Sequence, residues 1–158
     1  MRHVPSIGVT DREIIDFFSR PIHEISLSRQ EGNRVFESLI VSSSEERFSI
    51  YSSIVELSDG DEIGVLSIER TDKKVLENKI SLPELCKIPT SIQKIVGDYD
   101  VDGSCECGLL IETSAGMISF FSGSFPASLN IVCPGFDQGL RVTSFQKFKY
   151  HLRPLKVY

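Results

Sequence analysis

The sequence lacks any apolar run long enough to cross a membrane, and its first residues, MRHVPSIGVTDRE, lack the apolar centre of a secretory signal peptide. These two absences predict a cytoplasmic protein with no membrane partner. The four cysteines are then expected to be free thiols, because that compartment is reducing. With 158 residues, 41% of them hydrophobic and 25% charged, the chain is predicted to fold as one domain over residues 1–158.

The common signatures of enzymes are absent as well. The sequence contains no G-x-S-x-G motif, no phosphate-binding G-x-x-x-x-G-K motif and no H-E-x-x-H motif. Its three histidines, His3, His23 and His151, are interpreted as surface or structural residues. We therefore predict no enzymatic activity, no catalytic residue and no cofactor. A serine or cysteine nucleophile with a histidine distant in the sequence stays open, because such partners need only meet in space.

Lysine and arginine are missing from residues 98–140, a stretch that carries six acids and is called the acidic block below. Residues 141–158 carry five basic residues and no acid, while the whole chain has a net charge of −5. Such blocks are compatible with solvated surface, or with acidic and basic segments that lie side by side. Alternatively, the acidic block forms a face that attracts a basic protein partner by long-range steering.

Within this block, the stretch GDYDVDGSCECG, residues 97–108, is the densest group of side chains that could bind a metal. Asp98, Asp100 and Asp102 match the first ligand positions of an EF-hand calcium loop. The twelfth position, however, is Leu109, whose side chain has no oxygen. The downstream residues CECGLLIET also alternate like a strand, whereas an EF-hand requires a helix there. No calcium site is therefore predicted.

Zinc is not predicted either. Cys105 and Cys107 are two residues apart, so a regular strand would point both thiols to the same face as Leu109 and Ile111. Buried free cysteine behaves as a small hydrophobic residue. No other cysteine or histidine of the chain forms a second closely spaced pair that would complete a zinc site. The pattern therefore predicts an acidic turn that leads into a core-facing strand.

The remaining patterns predict an α+β, mainly β fold. In TDREIIDFFSRP, Thr10 and Glu13 have the spacing of a capping box at the start of a short helix. Alternation with period two predicts strands in RVFESLIV, RFSIYSSIVEL, EIGVLSIER, SIQKIV, CECGLLIET, MISFFSG, SLNIVC and FQKFKYHLRPLKVY. Asp59 and Gly60 indicate a hairpin turn. We expect antiparallel sheet of about eight short strands with one or two short helices.

The last of these strands interleaves aromatic and basic residues, as some single-strand nucleic-acid binders do. On a half-buried strand, however, the face with Tyr150 and Leu152 is opposite to the face with the cations. A base could not stack where its phosphate binds, and the overall charge is acidic. No nucleic-acid partner is predicted.

The segment CECGLLIETSAGMISFFSGSFPASLNI resembles small bacterial proteins that are encoded like the immunity partners of polymorphic or contact-dependent-inhibition toxins. The shared outline is a strand with GLLIET, a turn of small residues, an apolar strand, then Gly123, Phe125 and Pro126 before a strand with SLNI. The resemblance implies a cytosolic protein that blocks a toxin by binding it. It carries over no functional residue.

The sequence thus leads us to expect a non-enzymatic protein-binding module of the immunity type, which neutralises a basic toxin, such as a nuclease, by direct binding. The partner-binding residues are expected to be the acids Asp98, Asp100, Asp102, Glu106 and Glu112. The alternative is a small enzyme or ligand-binding β domain with a site near residues 97–108. An exposed patch of these acids favours binding, and a pocket that they line beside histidine or cysteine favours the enzyme.

Overall fold

The structure is a computed structural model, and it describes twelve separate stretches of the chain. They are residues 2–29, 36–43, 46–56, 60, 62–72, 78–80, 89–98, 103–114, 116–122, 129–133, 136–137 and 149–157. The predicted turn residues Asp59, Asp100 and Asp102 lie outside them, as do residues 81–88, which include Cys86.

The described residues form one helix, α1 (Asp11–Phe18), and twelve strands. The strands are β1 (Arg2–Val4), β2 (Glu24–Arg29), β3 (Phe36–Ser42), β4 (Arg47–Glu56), β5 (Glu62–Arg70), β6 (Asn78–Ile80), β7 (Pro89–Asp98), β8 (Gly103–Thr113), β9 (Gly116–Ser122), β10 (Leu129–Cys133), β11 (Phe136–Asp137) and β12 (Lys149–Val157). The predicted α+β, mainly β class is confirmed.

The helix begins at the predicted capping box. The Thr10 hydroxyl accepts a hydrogen bond from the Glu13 backbone N–H at 3.2 Å, and the Glu13 carboxylate accepts one from the Thr10 N–H at 3.4 Å. Two backbone donors at the start of the helix are thereby satisfied. Apolar residues three and four positions apart then point to one side, and Ile14, Phe17 and Phe18 are buried.

The strands are hydrogen-bonded in the order β12-β7-β8-β9-β10-β3-β2-β6, with β4 attached to β3 and β5 attached to β4. These pairs are antiparallel, as the sequence predicts, whereas β1 runs parallel to the first residues of β8. Two predicted hairpins, β4–β5 and β8–β9, are present. Gly60 and Gly116, next to their turns, have φ angles of 89° and 137°, which favour glycine.

Two groups of buried apolar residues pack the described helix and strands together. The first core lies between α1 and residues of β2 to β5 and β7 to β10, and its largest side chains are Phe17, Phe18, Phe48 and Phe120. The second core is smaller and joins β5 to β7, β8 and β9. It consists of Ile63, Val65, Ile95, Cys105, Cys107 and Phe121.

A β-bulge in β8 separates the contributions of this strand to the two cores. Ile95 of β7 pairs with Gly108 of β8, but the next residue, Val96, pairs with Glu106. Cys107 is therefore an extra residue on β8. An extra residue in one strand interrupts the strict alternation of its side chains and reverses which residues face each side.

The cysteines consequently do not share a face with the apolar residues that follow them. Leu109 and Ile111 belong to the first core, whereas Cys105 and Cys107 belong to the second. All four side chains are buried, as the sequence predicts. The prediction of a single face is wrong, because it assumed an unbroken period of two across the bulge.

Candidate functional site

The bulge also determines where Glu106 points. On a regular strand Glu106 would lie on the face opposite to Leu109. With the extra residue between them, Glu106 instead points to the face of the sheet that carries Lys94, which is paired with Leu109, and Arg153, which is paired with Lys94. Helix α1 packs on this same face, since its apolar residues share the first core with Leu109.

Four charged side chains meet there, and we call them the charge cluster. The Lys94 ammonium lies 2.8 Å from Glu106 Oε2 and 2.6 Å from Asp11 Oδ1. The Arg153 guanidinium donates to the same two carboxylates, to Glu106 Oε2 at 2.8 Å and to Asp11 Oδ2 at 3.1 Å. Two cations thus alternate with two anions in a closed ring, and their formal charges cancel.

The cluster has an inner pair and an outer pair. The side chains of Lys94 and Glu106 are each 3% exposed, whereas those of Asp11 and Arg153 are 42% and 40% exposed. The Ser6 backbone N–H donates a further hydrogen bond to Glu106 Oε1 at 3.1 Å. A buried charge is tolerated only when it is paired and hydrogen-bonded, and the inner pair meets this condition.

The surroundings keep both carboxyl groups ionised. Burial by itself would raise the pKa of Glu106, but the hydrogen bonds and charges of Lys94 and Arg153 outweigh it and lower the pKa below its usual value. The pKa of Asp11 is also lowered, because the same two cations outweigh its partial burial. The pKa of Arg153 is raised by the two carboxylates, against the effect of its own burial.

A serine and a histidine lie at the edge of this cluster. Strand β1 runs parallel to β8 in a register that places His3 opposite Ser104. The His3 Nδ1 atom and the Ser104 hydroxyl are 2.7 Å apart, within hydrogen-bond distance. On the other side of the imidazole ring, His3 Nε2 lies 3.6 Å from Glu106 Oε1. A hydroxyl, an imidazole and a carboxylate therefore lie in sequence.

The predicted partner-binding acids have different surroundings. Glu112 is exposed, and it accepts a hydrogen bond from the Ser91 hydroxyl at 3.2 Å. Asp98 is partly exposed and lies 3.1 Å from His151 Nδ1. Glu106 is 2% exposed as a whole residue, because the bulge turns it toward Lys94, so this predicted partner-binding acid is not part of an exposed patch. The other two acids, Asp100 and Asp102, lie outside the described residues.

A partly exposed patch of sheet adjoins the second core, against which its residue Leu110 packs, and we call this patch the open face. Cross-strand pairs share a face of the sheet, and here Glu112 pairs with Met117, Leu110 with Ser119, and Ser119 with Val132. Leu110 and Val132 are half-buried, while Met117 is 49% exposed. Three apolar side chains thus reach solvent beside one exposed carboxylate.

The two cysteines at the bulge, Cys105 and Cys107, are buried. Neither of them is part of a disulfide, and Cys107 Sγ donates to the Ile95 carbonyl at 3.5 Å. The hydrogen bond between the two neighbouring thiols lowers the pKa of Cys105 and raises the pKa of Cys107. That all four cysteines of the chain are reduced stays a prediction.

Within the described stretches, no group of three or more histidine, cysteine, aspartate or glutamate side chains is arranged to hold a metal ion. The one helix found there is too short and too polar to span a membrane. Comparison with protein-family models, with curated proteins and with solved structures gave no match. The chemistry of the site therefore rests on the geometry of its own residues.

Sequence reasoning missed three residues that contribute to this region, which are Lys94, Arg153 and His3. Lys94 lies in the short SIQKIV strand, where a lone lysine among apolar residues was the available signal for a buried cation. The alternation of the last strand predicts Arg153 on its solvent face, but the Arg153 guanidinium reaches Asp11 and Glu106. The sequence interprets His3 only as a surface or structural histidine, because the three-residue strand β1 is too short to show a periodic pattern.

Proposed function

We propose that this chain is a protein-binding module of the immunity type, which acts in the cytoplasm and neutralises a basic toxin by direct contact. The observation that carries the proposal is the open face, where Met117 is 49% exposed directly beside the exposed carboxylate of Glu112. The resemblance of this same hairpin region to immunity-type proteins supports the same function.

The composition of the open face suits an interface with another protein. Methionine is enriched at interfaces and adapts its shape to a partner, because its unbranched side chain has three rotatable bonds. Leu110 and Val132 extend the apolar area along the neighbouring strands, and Ser119 adds a hydroxyl between them. An apolar centre with polar neighbours is the arrangement that carries most of the binding energy in protein complexes.

The charge of the chain supports a basic partner. The net charge is −5, and the acidic block contains no cation. Glu112 carries this charge onto the open face, while Asp98 lies at the opposite end of β7 and is partly occupied by His151. Exposed acids attract a basic protein over a distance of about 10 Å at moderate salt and raise the rate of encounter.

The proposal is tested with the product of the adjacent gene, produced as an inactive variant if it is toxic. We expect a stable complex and restored growth when both genes are expressed. The Glu112→Gln variant should slow association several-fold at low salt and much less at high salt. Glu56→Gln, which removes an exposed acid from another strand, is the matched control and should leave the rate unchanged.

No complex with the neighbouring product, together with unimpaired toxicity when both are expressed, would contradict the immunity function. A complex whose association rate responds equally to Glu112→Gln and Glu56→Gln would contradict the position of the interface but not its existence.

A further inference from the structure

The Ser104–His3–Glu106 constellation has the order that serine nucleophiles require. A serine hydroxyl is a weak nucleophile unless a neighbouring base removes its proton, and the base works best when a third group orients it. Ser104 Oγ and His3 Nδ1 are 2.7 Å apart, which meets the distance for proton transfer. His3 Nε2 is 3.6 Å from the Glu106 carboxylate, which occupies the third position.

The Glu106 carboxylate favours the tautomer of the His3 imidazole that can act as a base toward Ser104. A neutral imidazole carries its proton on one nitrogen, and the other nitrogen is the acceptor. A carboxylate beside Nε2 favours the proton there, and this leaves Nδ1 free to accept the proton of the Ser104 hydroxyl. Glu106 is therefore a positioning residue for His3, and the hydrogen bonds from Lys94, Arg153 and the Ser6 backbone hold it in place.

The pairing of β1 with β8 fixes the positions of Ser104, His3 and Glu106 relative to each other. Solvent reaches the Ser104 hydroxyl and the His3 imidazole. Ser104 and Glu106 are two residues apart on β8, and the parallel register with β1 places His3 opposite Ser104. The side chain of His3 is 45% exposed and Ser104 is half-buried, whereas Glu106 is 3% exposed. A small reagent can therefore approach the hydroxyl and the imidazole while the carboxylate stays shielded.

We propose that Ser104 is an activated nucleophile that takes the acyl group of small carboxylic esters, with His3 as its general base. Ser104 Oγ forms a bond to the carbonyl carbon while its proton moves to His3 Nδ1. The bond from that carbon to the alcohol oxygen then breaks, and the departing alcohol takes the proton from His3. Water next attacks the carbonyl carbon of the acyl-serine while His3 Nδ1 takes one of the water's protons. The bond from that carbon to Ser104 Oγ then breaks, and His3 passes this proton to Oγ as the carboxylic acid is released.

This activity is independent of the proposed binding function, because it uses the β1–β8 edge and none of the residues of the open face. It corresponds to the site near residues 97–108 that the sequence left open as the alternative function.

The first test is covalent labelling of the full chain by a fluorophosphonate probe, which reacts with activated serines, followed by mass spectrometry of the peptides. We expect one label per chain, on Ser104. The Ser104→Ala variant should lose the label, while Ser49→Ala, at a half-buried serine on β4, should keep it. His3→Ala should label about a hundred-fold more slowly, the usual loss when a general base is removed, and added imidazole should restore part of the rate.

The second test measures the rapid initial release of p-nitrophenol when the protein is mixed with p-nitrophenyl acetate, because this burst equals the amount of acylated serine. The wild type should release about one equivalent of p-nitrophenol per chain, and Ser104→Ala should release none.

The role of Glu106 is measured by NMR from the nitrogen chemical shifts of His3. They should report a proton on Nε2 in the wild type and a larger share on Nδ1 in Glu106→Gln.

Circular dichroism of each variant establishes that it is folded before its reactivity is compared. The absence of any label on folded wild-type protein after hours at millimolar probe would overturn the proposal. Retention of the label in Ser104→Ala, or an unchanged labelling rate in folded His3→Ala, would do so as well.

Discussion

Replacing Glu106 with alanine should destabilise the fold strongly, because the substitution leaves two cations facing one carboxylate. Breaking a buried ion pair by removing one partner costs about 3–5 kcal/mol. Here the loss should be near 3 kcal/mol, since Asp11 remains 2.6 Å from Lys94 and the 40% exposed Arg153 can turn toward water. For a domain of this size, that loss lowers the melting temperature by roughly 6–12 °C.

The matched control lies on the same strand. Glu112→Ala also removes a carboxylate from β8, but this residue is exposed and is bonded only to Ser91 among the contacts described above. Its cost should be no more than about 0.5 kcal/mol, the usual scale for surface substitutions. Urea unfolding followed by circular dichroism measures both free energies of unfolding. A loss below about 1 kcal/mol for Glu106→Ala, or equal losses for the two variants, would refute the assignment of the charge cluster as a buried, structurally required network.

Two further predictions concern acid stability and backbone strain. The folded-state pKa values of Glu106 and Asp11 are lowered, so these groups stabilise the fold above the unfolded values near 4 and lose this contribution as the pH falls through the folded values. The free energy of unfolding should therefore decrease as the pH is lowered below about 4.5, and it should decrease less steeply in Glu106→Gln. Urea unfolding at several pH values measures both slopes, and identical slopes would contradict the role of Glu106. Gly8 has φ 105° and a Cβ there would lie 2.0 Å from the Ile68 carbonyl oxygen, whereas Gly60 has φ 89° with open space around it. Gly8→Ala should thus lower the melting temperature much more than Gly60→Ala, whose cost is limited to about 1–2 kcal/mol of backbone strain. Similar melting temperatures of the two variants would show that residues 6 to 8 are not tightly packed against β5.

The periodic parts of the chain could be predicted from the sequence. The capping box at Thr10 and the alternating segments of β4, β5, β8 and β9 follow from local rules, because hydrogen bonding and burial impose fixed periods on helices and strands. Strand β2 was missed although its alternation is present in EISLSR. Strands β1 and β6 span only three residues each, which is too short for a period to be recognised.

The site could not be predicted, because it depends on one irregularity and on contacts distant in sequence. A single extra residue at Cys107 moves Glu106 to the face of Lys94, and local sequence does not mark this bulge. Asp11 and Arg153 are 142 residues apart, and His3 is 101 residues from Ser104. The sequence pattern identified residues 97–108 as a candidate site, but it did not predict that Glu106 is buried while Glu112 is exposed.

The central claim, that the open face binds a partner protein, is tested most directly by two matched substitutions. Met117 on β9 and Ile54 on β4 are exposed apolar residues, with 49% and 45% of their surface accessible, and only Met117 lies on the open face. The measurement is the Kd of Met117→Asp and Ile54→Asp with the product of the adjacent gene. We expect Met117→Asp to weaken binding at least about thirty-fold, the effect of a lost interface anchor worth about 2 kcal/mol, and Ile54→Asp to bind like the wild type. Wild-type affinity in folded Met117→Asp would contradict the claim.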